Sequence, residues 1–242
     1  MNLNETKTVG EIAVENPLSI RAFEKFGIDY CCGGNKPLRD ACSSVGVRIE
    51  EIKSYLEGIE RFQKKNGTTD FQKISLIELI SYIVETHHKY TKDTMHRLDD
   101  LILKVCKAHS EKHPEISQLY SLYCHLCADL VPHLMKEEVV LFPYITRLEL
   151  ASKENSPFQM PPFGTVKNPV RMMTQEHETA GEILSKMREV TNDYKVPEDA
   201  CNSFRALYYE LEEIEKDLHM HIHLENNVLF SRAIELEKMI RA

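Results

Sequence analysis

The chain has 242 residues, 42% hydrophobic and 28% charged, a composition typical of a globular protein with a buried core. Its net charge of −8 and its lack of a basic cluster argue against nucleic acid, because phosphate binding needs concentrated lysine and arginine. No apolar run approaches the roughly 20 residues of a membrane-spanning helix, and the first residues lack a signal-peptide pattern. Seven irregularly spaced cysteines favour free thiols and a cytoplasmic location.

The first 63 residues are predicted to form a small helical domain. Thr8 and Glu11 have the spacing of a capping box, which predicts a short helix after Thr8. Further helices are predicted over residues 17–25 and 48–63. Between these two helices, Cys31-Cys32-Gly33-Gly34 predicts a loop, because glycine permits positive φ angles.

Residues 64–70 are polar and turn-rich, so we place a domain boundary there and divide the chain into domains 1–63 and 72–242. The larger domain has helical periodicity and no strand pattern, which predicts an all-α fold. Its four helices are predicted to begin at the Ser75–Glu78 capping box, at Pro114, at Asn168–Pro169 and at Pro197. Pro143 is expected to end the second helix, and a loop over 151–167 to follow it.

An internal repeat dominates the larger domain. His133-x-x-x-Glu137 recurs as His221-x-x-x-Glu225, and both copies are followed by Leu-Phe at the same spacing. On a helix, residues four apart share a face, so each pair could bind a metal. His87 precedes the first copy by 46 residues and His177 precedes the second by 44. The repeat therefore predicts two helical hairpins that face each other.

All six of these side chains continue apolar stripes, although buried carboxylates are costly without a partner. A single such histidine would more simply be a core residue, but six converging polar groups favour a metal site. Nitrogen and carboxylate ligands suit Fe, Mn or Zn, and iron is our choice among them. We interpret the other histidines, including His88, His219 and His223, as surface or outer-shell residues.

The cysteines give a second signal. Adjacent cysteines such as Cys31 and Cys32 do not easily form a disulfide, so this pair suits binding or transfer as well as it suits packing in a loop. Cys124 and Cys127 have CxxC spacing but lie in the middle of a predicted helix, where helix packing is the simpler interpretation.

The Ile28-to-Gly34 segment with Cys31-Cys32, combined with the four-histidine, two-glutamate repeat, resembles the repair-of-iron-centres family. The resemblance implies a hemerythrin-like four-helix bundle with two non-haem iron ions, preceded by an ScdA-type helical domain. It implies terminal histidine ligands and bridging glutamates, namely His87, His133, His177, His221, Glu137 and Glu225. The implied role is repair of damaged iron–sulfur proteins by iron donation rather than enzymatic turnover. From their chemistry, Cys31 and Cys32 are our candidates for iron transfer or redox chemistry.

Two other functions use similar residues. A hemerythrin-like protein could bind or sense nitric oxide or oxygen through the same iron pair, although oxygen carriers of that type bring more histidine and have no Cys-Cys domain. A two-metal hydrolase of the His-Asp type is disfavoured because the chain contains no His-Asp dipeptide. A homodimer is compatible with the sequence, and the oligomeric state stays open.

Overall fold

The computed structural model of the protein describes residues 3–63, 70–154 and 161–241, and every regular element within these ranges is a helix. The β-type pairing in the described ranges is one isolated bridge between Thr8 and Pro37. The all-α prediction is therefore confirmed. None of the described helices has the length and apolar character needed to cross a membrane.

The amino-terminal part is a cluster of short helices. They are α1 (Val9–Glu15), α2 (Leu18–Phe26), α3 (Leu38–Val45) and α4 (Ile49–Gln63). The capping box predicted for α1 is present, because the Thr8 hydroxyl accepts from the Glu11 backbone N–H and the Glu11 carboxylate accepts from that of Thr8. Helix α3 was not predicted from the sequence. It begins after Pro37 and ends at Gly46, whose φ of 69° forms a left-handed cap.

Four long helical rods form the larger part. The first consists of α5 (Leu76–Tyr82), π1 (Ile83–His88) and α6 (Lys89–His109). The second consists of α7 (Glu115–Lys136), π2 (Glu137–Leu141) and α8 (Phe142–Glu154). The third is α9 (Lys167–Thr191), and the fourth consists of α10 (Asn202–His223), π3 (Leu224–Leu229) and α11 (Phe230–Arg241). The most extensive packing is of α7 on α9 and of α10 on α6.

Three of the rods contain a short π-helical segment, in which backbone hydrogen bonds reach one residue further than in an α-helix. Such segments concentrate at functional sites, because the extra residue turns the side chains around it to a different face. Here π1 ends at His88, π2 begins at Glu137 and π3 contains Glu225. The predicted ligands His87, Glu137 and Glu225 thus lie in segments where the helical register changes.

The prediction that Pro143 ends the second helix is wrong, because α8 continues to Glu154. The Phe142 N–H donates to the carbonyl of Glu137, five residues back, so the helical register changes immediately before Pro143. Pro143 itself has no backbone N–H to donate. The loop predicted over 151–167 consequently begins later than expected. Residues 155–160 of that loop and residues 64–69 of the predicted domain boundary lie outside the described ranges. The fourth rod begins at Asn202 rather than at Pro197.

The amino-terminal helices pack against the bundle beside π3. Ile222 of α10 belongs to the same apolar cluster as Phe23 and Tyr30. The Asn227 side-chain amide lies 3.4 Å from the Tyr30 carbonyl oxygen, to which it donates. A Cβ atom added at Gly10 would lie only 2.8 Å from the Asn227 Oδ1, so the close approach of α1 to π3 favours glycine there.

Candidate metal centre

Two completely buried carboxylates, Glu137 and Glu225, lie at the centre of the bundle. Each belongs to two groups of side chains whose nitrogen and oxygen atoms lie within 4.8 Å of one another. One group adds His88 and His221 to the two glutamates, and the other adds His133 and His177. The two groups share both carboxylates, so the six side chains form one continuous cluster of potential metal ligands.

The imidazoles present their Nε2 atoms to the carboxylates. The Nε2 atoms of His133 and His177 are 3.0 Å apart, and those of His88 and His221 are also 3.0 Å apart. The Nε2 atom of His221 is 3.0 Å from Glu225 Oε1, and that of His133 is 3.3 Å from Glu137 Oε2. All four histidine nitrogens therefore converge on the space between the two glutamates.

Hydrogen bonds on the opposite side of the rings hold three of these histidines in place. The Nδ1 atom of His88 lies 2.8 Å from Glu138, that of His133 lies 2.8 Å from Glu176, and that of His177 lies 3.0 Å from Asn226 Oδ1. An oxygen acceptor at Nδ1 fixes the tautomer that leaves Nε2 free as a ligand. Outer partners of this kind typically surround metal-binding histidines.

The electrostatics of the cluster fit a cation. The four carboxylate oxygens of Glu137 and Glu225 are buried and form no hydrogen bond of acceptable geometry, although imidazole nitrogens lie nearby. Burial raises the pKa of the Glu225 carboxyl, but the neighbouring imidazoles, His221 foremost, outweigh burial and hold that pKa well below its usual range. Buried carboxylate oxygens without hydrogen bonds are costly, so a metal would satisfy coordination that the imidazoles alone do not.

The histidines respond to the same surroundings in different ways. Burial lowers the pKa of the His133 imidazole, but the carboxylates around it, Glu137 foremost, outweigh burial and raise that pKa to about 9. Burial lowers the pKa of His221, which has no hydrogen-bond partner at Nδ1 among the described residues. The donor set of imidazole nitrogen and carboxylate oxygen, without thiolate, is one that iron accepts.

His87, which was predicted to be a ligand, does not join either group. Its Nδ1 atom lies 2.9 Å from Asp217 Oδ1, and its ring stacks on His221 with the ring centres 5.9 Å apart. The adjacent His88, which was predicted to be peripheral, is completely buried and occupies the expected position. The π1 segment explains this exchange of His87 for His88. A regular α-helix would have placed His87 on the buried stripe, but the extra residue of π1 turns His88 inward.

A sequence signal for His88 did exist. His88 precedes His133 by 45 residues, which matches the 44-residue spacing from His177 to His221 more closely than the spacing from His87 does. The other five predicted residues are brought together as expected.

His223 is not a surface residue, and His219 is half-buried. His223 is buried, and its ring packs on Tyr30 with the ring centres 5.4 Å apart. Burial lowers the pKa of His223 to about 4. The Nδ1 atom of His219 lies 3.1 Å from Glu24 of α2. Both histidines therefore belong to the contact between the amino-terminal helices and the bundle.

The Cys31-Cys32 loop faces the bundle. One carboxylate, that of Asp29, accepts the backbone N–H groups of Cys31, Cys32 and Gly33 at 2.8–3.0 Å and thereby fixes the loop. Cys31 is buried and Cys32 is half-buried.

Cys32 contacts the helix that carries a predicted ligand. Its Sγ atom donates to the backbone carbonyl of His177 at 3.2 Å. A Cβ atom added at Gly181, one turn further along α9, would lie 3.1 Å from that sulfur, so the glycine makes room for the thiol. The thiol pair thus lies next to the metal centre.

Comparison with known proteins agrees with this description. Residues 79–233 match the family model for the hemerythrin HHE cation binding domain, and residues 5–60 match ScdA_N, a domain of unknown function also called DUF542. The chain is 29% identical to the iron-sulfur cluster repair protein ScdA of Staphylococcus haemolyticus, over 93% of this chain and 96% of the relative. It is 32% identical to a probable iron-sulfur cluster repair protein of Haemophilus influenzae, over 93% and 96% of the two chains. It is also 32% identical to the iron-sulfur cluster repair protein YtfE of Pectobacterium atrosepticum, over 96% and 98%.

Proposed function

Since the chain belongs to the hemerythrin HHE cation-binding family and carries an ScdA_N domain, we propose that it repairs iron–sulfur clusters damaged by nitric oxide or peroxide. The names of its relatives support this function. The observation that carries the proposal is the pair of buried carboxylates, Glu137 and Glu225, which two groups of imidazoles share. In this proposal the protein acts by donating iron rather than by turning over a substrate.

The proposed iron ligands are the members of the two groups, namely His88, His133, Glu137, His177, His221 and Glu225. His88 takes the place that the sequence assigned to His87. Glu137 and Glu225 would bridge two irons, because each contributes to both groups. When bound, the iron supplies the metal that a damaged cluster has lost.

The residues around the ligands hold and shield the site. Phe142 stacks on His88 and Phe230 stacks on His177, with ring centres 5.5 and 6.1 Å apart, so aromatic surface covers the imidazoles. The Glu138 carboxylate that fixes His88 also accepts from the Lys92 ammonium at 2.7 Å. The partly exposed Glu138 thus joins the buried ring to the protein surface.

Cys31 and Cys32 are proposed to take part in iron transfer. Their place beside the His177 backbone supports this role, because thiolates are the usual ligands of iron–sulfur clusters. A cytoplasmic location is part of the same proposal. It is supported by the seven cysteines, all of which are free, as expected of a reducing compartment.

The test is repair of a cluster-dependent dehydratase that has been inactivated with nitric oxide. We expect iron-loaded protein to restore dehydratase activity while its own iron content falls. The same protein stripped of iron, and ferrous salt alone at the same concentration, serve as controls. Equal recovery with the stripped protein would contradict iron donation. Iron that stays on the protein while nitric oxide is consumed would favour gas binding instead.

A further inference from the structure

A cysteine and a histidine meet at the end of the bundle where α6 ends and α10 begins. The Nε2 atom of His109, the last residue of α6, lies 3.2 Å from the Sγ atom of Cys201, the residue that precedes α10. Cys201 precedes His221 by 20 residues. At about 1.5 Å per helical residue, this places the pair about 30 Å from that proposed iron ligand. The pair is therefore separate from the metal centre.

Packing holds the imidazole beside the thiol. Phe204 is completely buried, and its ring meets the rings of His109 and His113 edge to face, with ring centres 5.3 Å apart in both cases. His113 is fixed between two carboxylates, because its Nδ1 atom lies 2.9 Å from Glu115 and its Nε2 atom lies 3.1 Å from Asp199. The His109 ring thus packs on neighbours that are themselves held in place.

The position of Cys201 favours a reactive thiol in two ways. An imidazole within hydrogen-bond reach can take the thiol proton, which is how cysteine nucleophiles are commonly activated. Cys201 is also the N-cap of α10, a helix of 22 residues, and the partial positive charge at a helix N-terminus stabilises a thiolate. The Cys201 side chain makes no capping bond to α10, so its sulfur stays with His109.

The other cysteines lack this combination. All seven lie in the described part of the chain, and two of them, Cys124 and Cys201, are exposed. Cys124 lies in the middle of α7 and interacts with the hydroxyl of Tyr120, which does not act as a base at neutral pH. Burial raises the pKa of three further thiols, those of Cys42, Cys106 and Cys127. An exposed thiol next to a base is therefore a particular feature of Cys201.

We propose that Cys201 and His109 form a reactive thiol site that is modified by low-molecular-weight disulfides. His109 Nε2 takes the proton from Cys201 Sγ, and the thiolate attacks one sulfur of the disulfide. A new S–S bond forms at Cys201, the original S–S bond breaks, and the departing thiolate takes the proton from His109. Cys201 is oxidised to a mixed disulfide, and the small disulfide, which is the oxidant, is reduced to one thiol. The site goes beyond the proposed function, because this reaction uses no iron.

Oxidised glutathione is the probe, and the sample is the full chain loaded with iron. After timed incubation at pH 7 and acid quenching, peptide mass spectrometry measures the mixed disulfide at each cysteine. We expect Cys201 to react faster than Cys124, the exposed cysteine without an imidazole partner. Reaction at Cys201 that is no faster than reaction at Cys124 would overturn the proposal.

His109→Gln tests the role of the imidazole, because glutamine is polar but cannot take the proton. An ordinary exposed thiol is a few per cent ionised at pH 7. Raising that fraction to about half, with the loss of nucleophilicity that accompanies it, leaves a net gain of about threefold. We therefore expect the Cys201 rate to fall about threefold in His109→Gln while the Cys124 rate stays the same. His125→Gln, which replaces an exposed histidine of α7, is the matched control and should change neither rate.

Chemical rescue separates activation of the thiol from a structural role of the imidazole. In His109→Ala, added free imidazole should restore the rate at Cys201 and leave that at Cys124 unchanged. The iron content of both His109 variants should equal that of the wild type, because the pair lies far from the centre. A wild-type rate at Cys201 in both variants, or a lost rate in His109→Ala that imidazole does not restore, would overturn the role of His109. Melting temperatures, followed by circular dichroism, confirm that the compared proteins are folded.

Discussion

Substituting Gly10 with alanine should loosen the contact between the amino-terminal helices and the bundle. The new Cβ atom would lie 2.8 Å from Asn227 Oδ1, which is too short for a carbon–oxygen contact, and 3.0 Å from the backbone oxygen of Gly34, which is tighter than most such contacts. The Asn227 side chain would have to turn away from His223 Nδ1 and the Tyr30 carbonyl, which lie 3.1 and 3.4 Å from its amide nitrogen.

Losing two such hydrogen bonds costs about 2 kcal/mol. Alanine is a better helix former than glycine, which stabilises the folded state by up to about 1 kcal/mol. The net expectation is a fall of about 1–2 kcal/mol in the free energy of unfolding, and more if the Gly34 backbone cannot move. Because Gly34 follows the thiol pair in the same loop, the substitution should also disturb Cys31 and Cys32.

Gly58→Ala is the matched control. Gly58 lies within α4, and a Cβ atom added there has no neighbour within 4 Å among the described residues. The control should therefore be more stable than the wild type by about 0.5–1 kcal/mol. Denaturant unfolding of the iron-loaded proteins, followed by circular dichroism, measures both changes. A Gly10→Ala protein at least as stable as the wild type would refute the close docking of α1 on π3.

The other predictions concern iron. The Cys31→Ser/Cys32→Ser variant should retain its iron and its iron absorption yet restore a damaged cluster enzyme poorly. Full repair by this variant would show that the two thiols serve only in packing. Glu138→Ala should weaken iron affinity about tenfold or more in a competition titration, because the His88 imidazole loses the carboxylate that orients it. Glu212→Ala is the control and should leave the affinity unchanged. Equal affinities of the two variants would contradict a role for Glu138 in orienting His88. Removing the iron should lower the melting temperature, since two buried carboxylates would lose their partner, and identical melting of both forms would count against this.

The repeat made most of the centre predictable. Glu137 and Glu225 are buried charged residues at matching points of two similar segments, and few arrangements other than a shared metal site tolerate that pattern. The position of His177 followed from the same symmetry. Periodicity predicted the all-α class, and the Thr8–Glu11 and Ser75–Glu78 spacings predicted the two capping boxes, because both signals depend only on neighbours in the sequence.

What sequence reasoning missed depends on register and on contacts between distant segments. A π-helical turn does not interrupt the apolar pattern, so the stripe that selected His87 shows no sign of the shift that brings His88 inward. The burial of Cys31 and His223 comes from the docking of two parts of the chain whose contact no local pattern reveals. Pro143 looked like a helix end because the neighbouring π segment was not foreseen.

The metal content of His88→Ala and His87→Ala tests the central claim most directly. The two residues are adjacent and both are buried, but only His88 belongs to a ligand group, so each variant controls for the other. Iron should be measured per chain after identical anaerobic loading and desalting. The wild type and His87→Ala should each hold about two irons, and His88→Ala should lose iron. If His87→Ala empties the centre while His88→Ala retains about two irons, the proposed ligand set is contradicted.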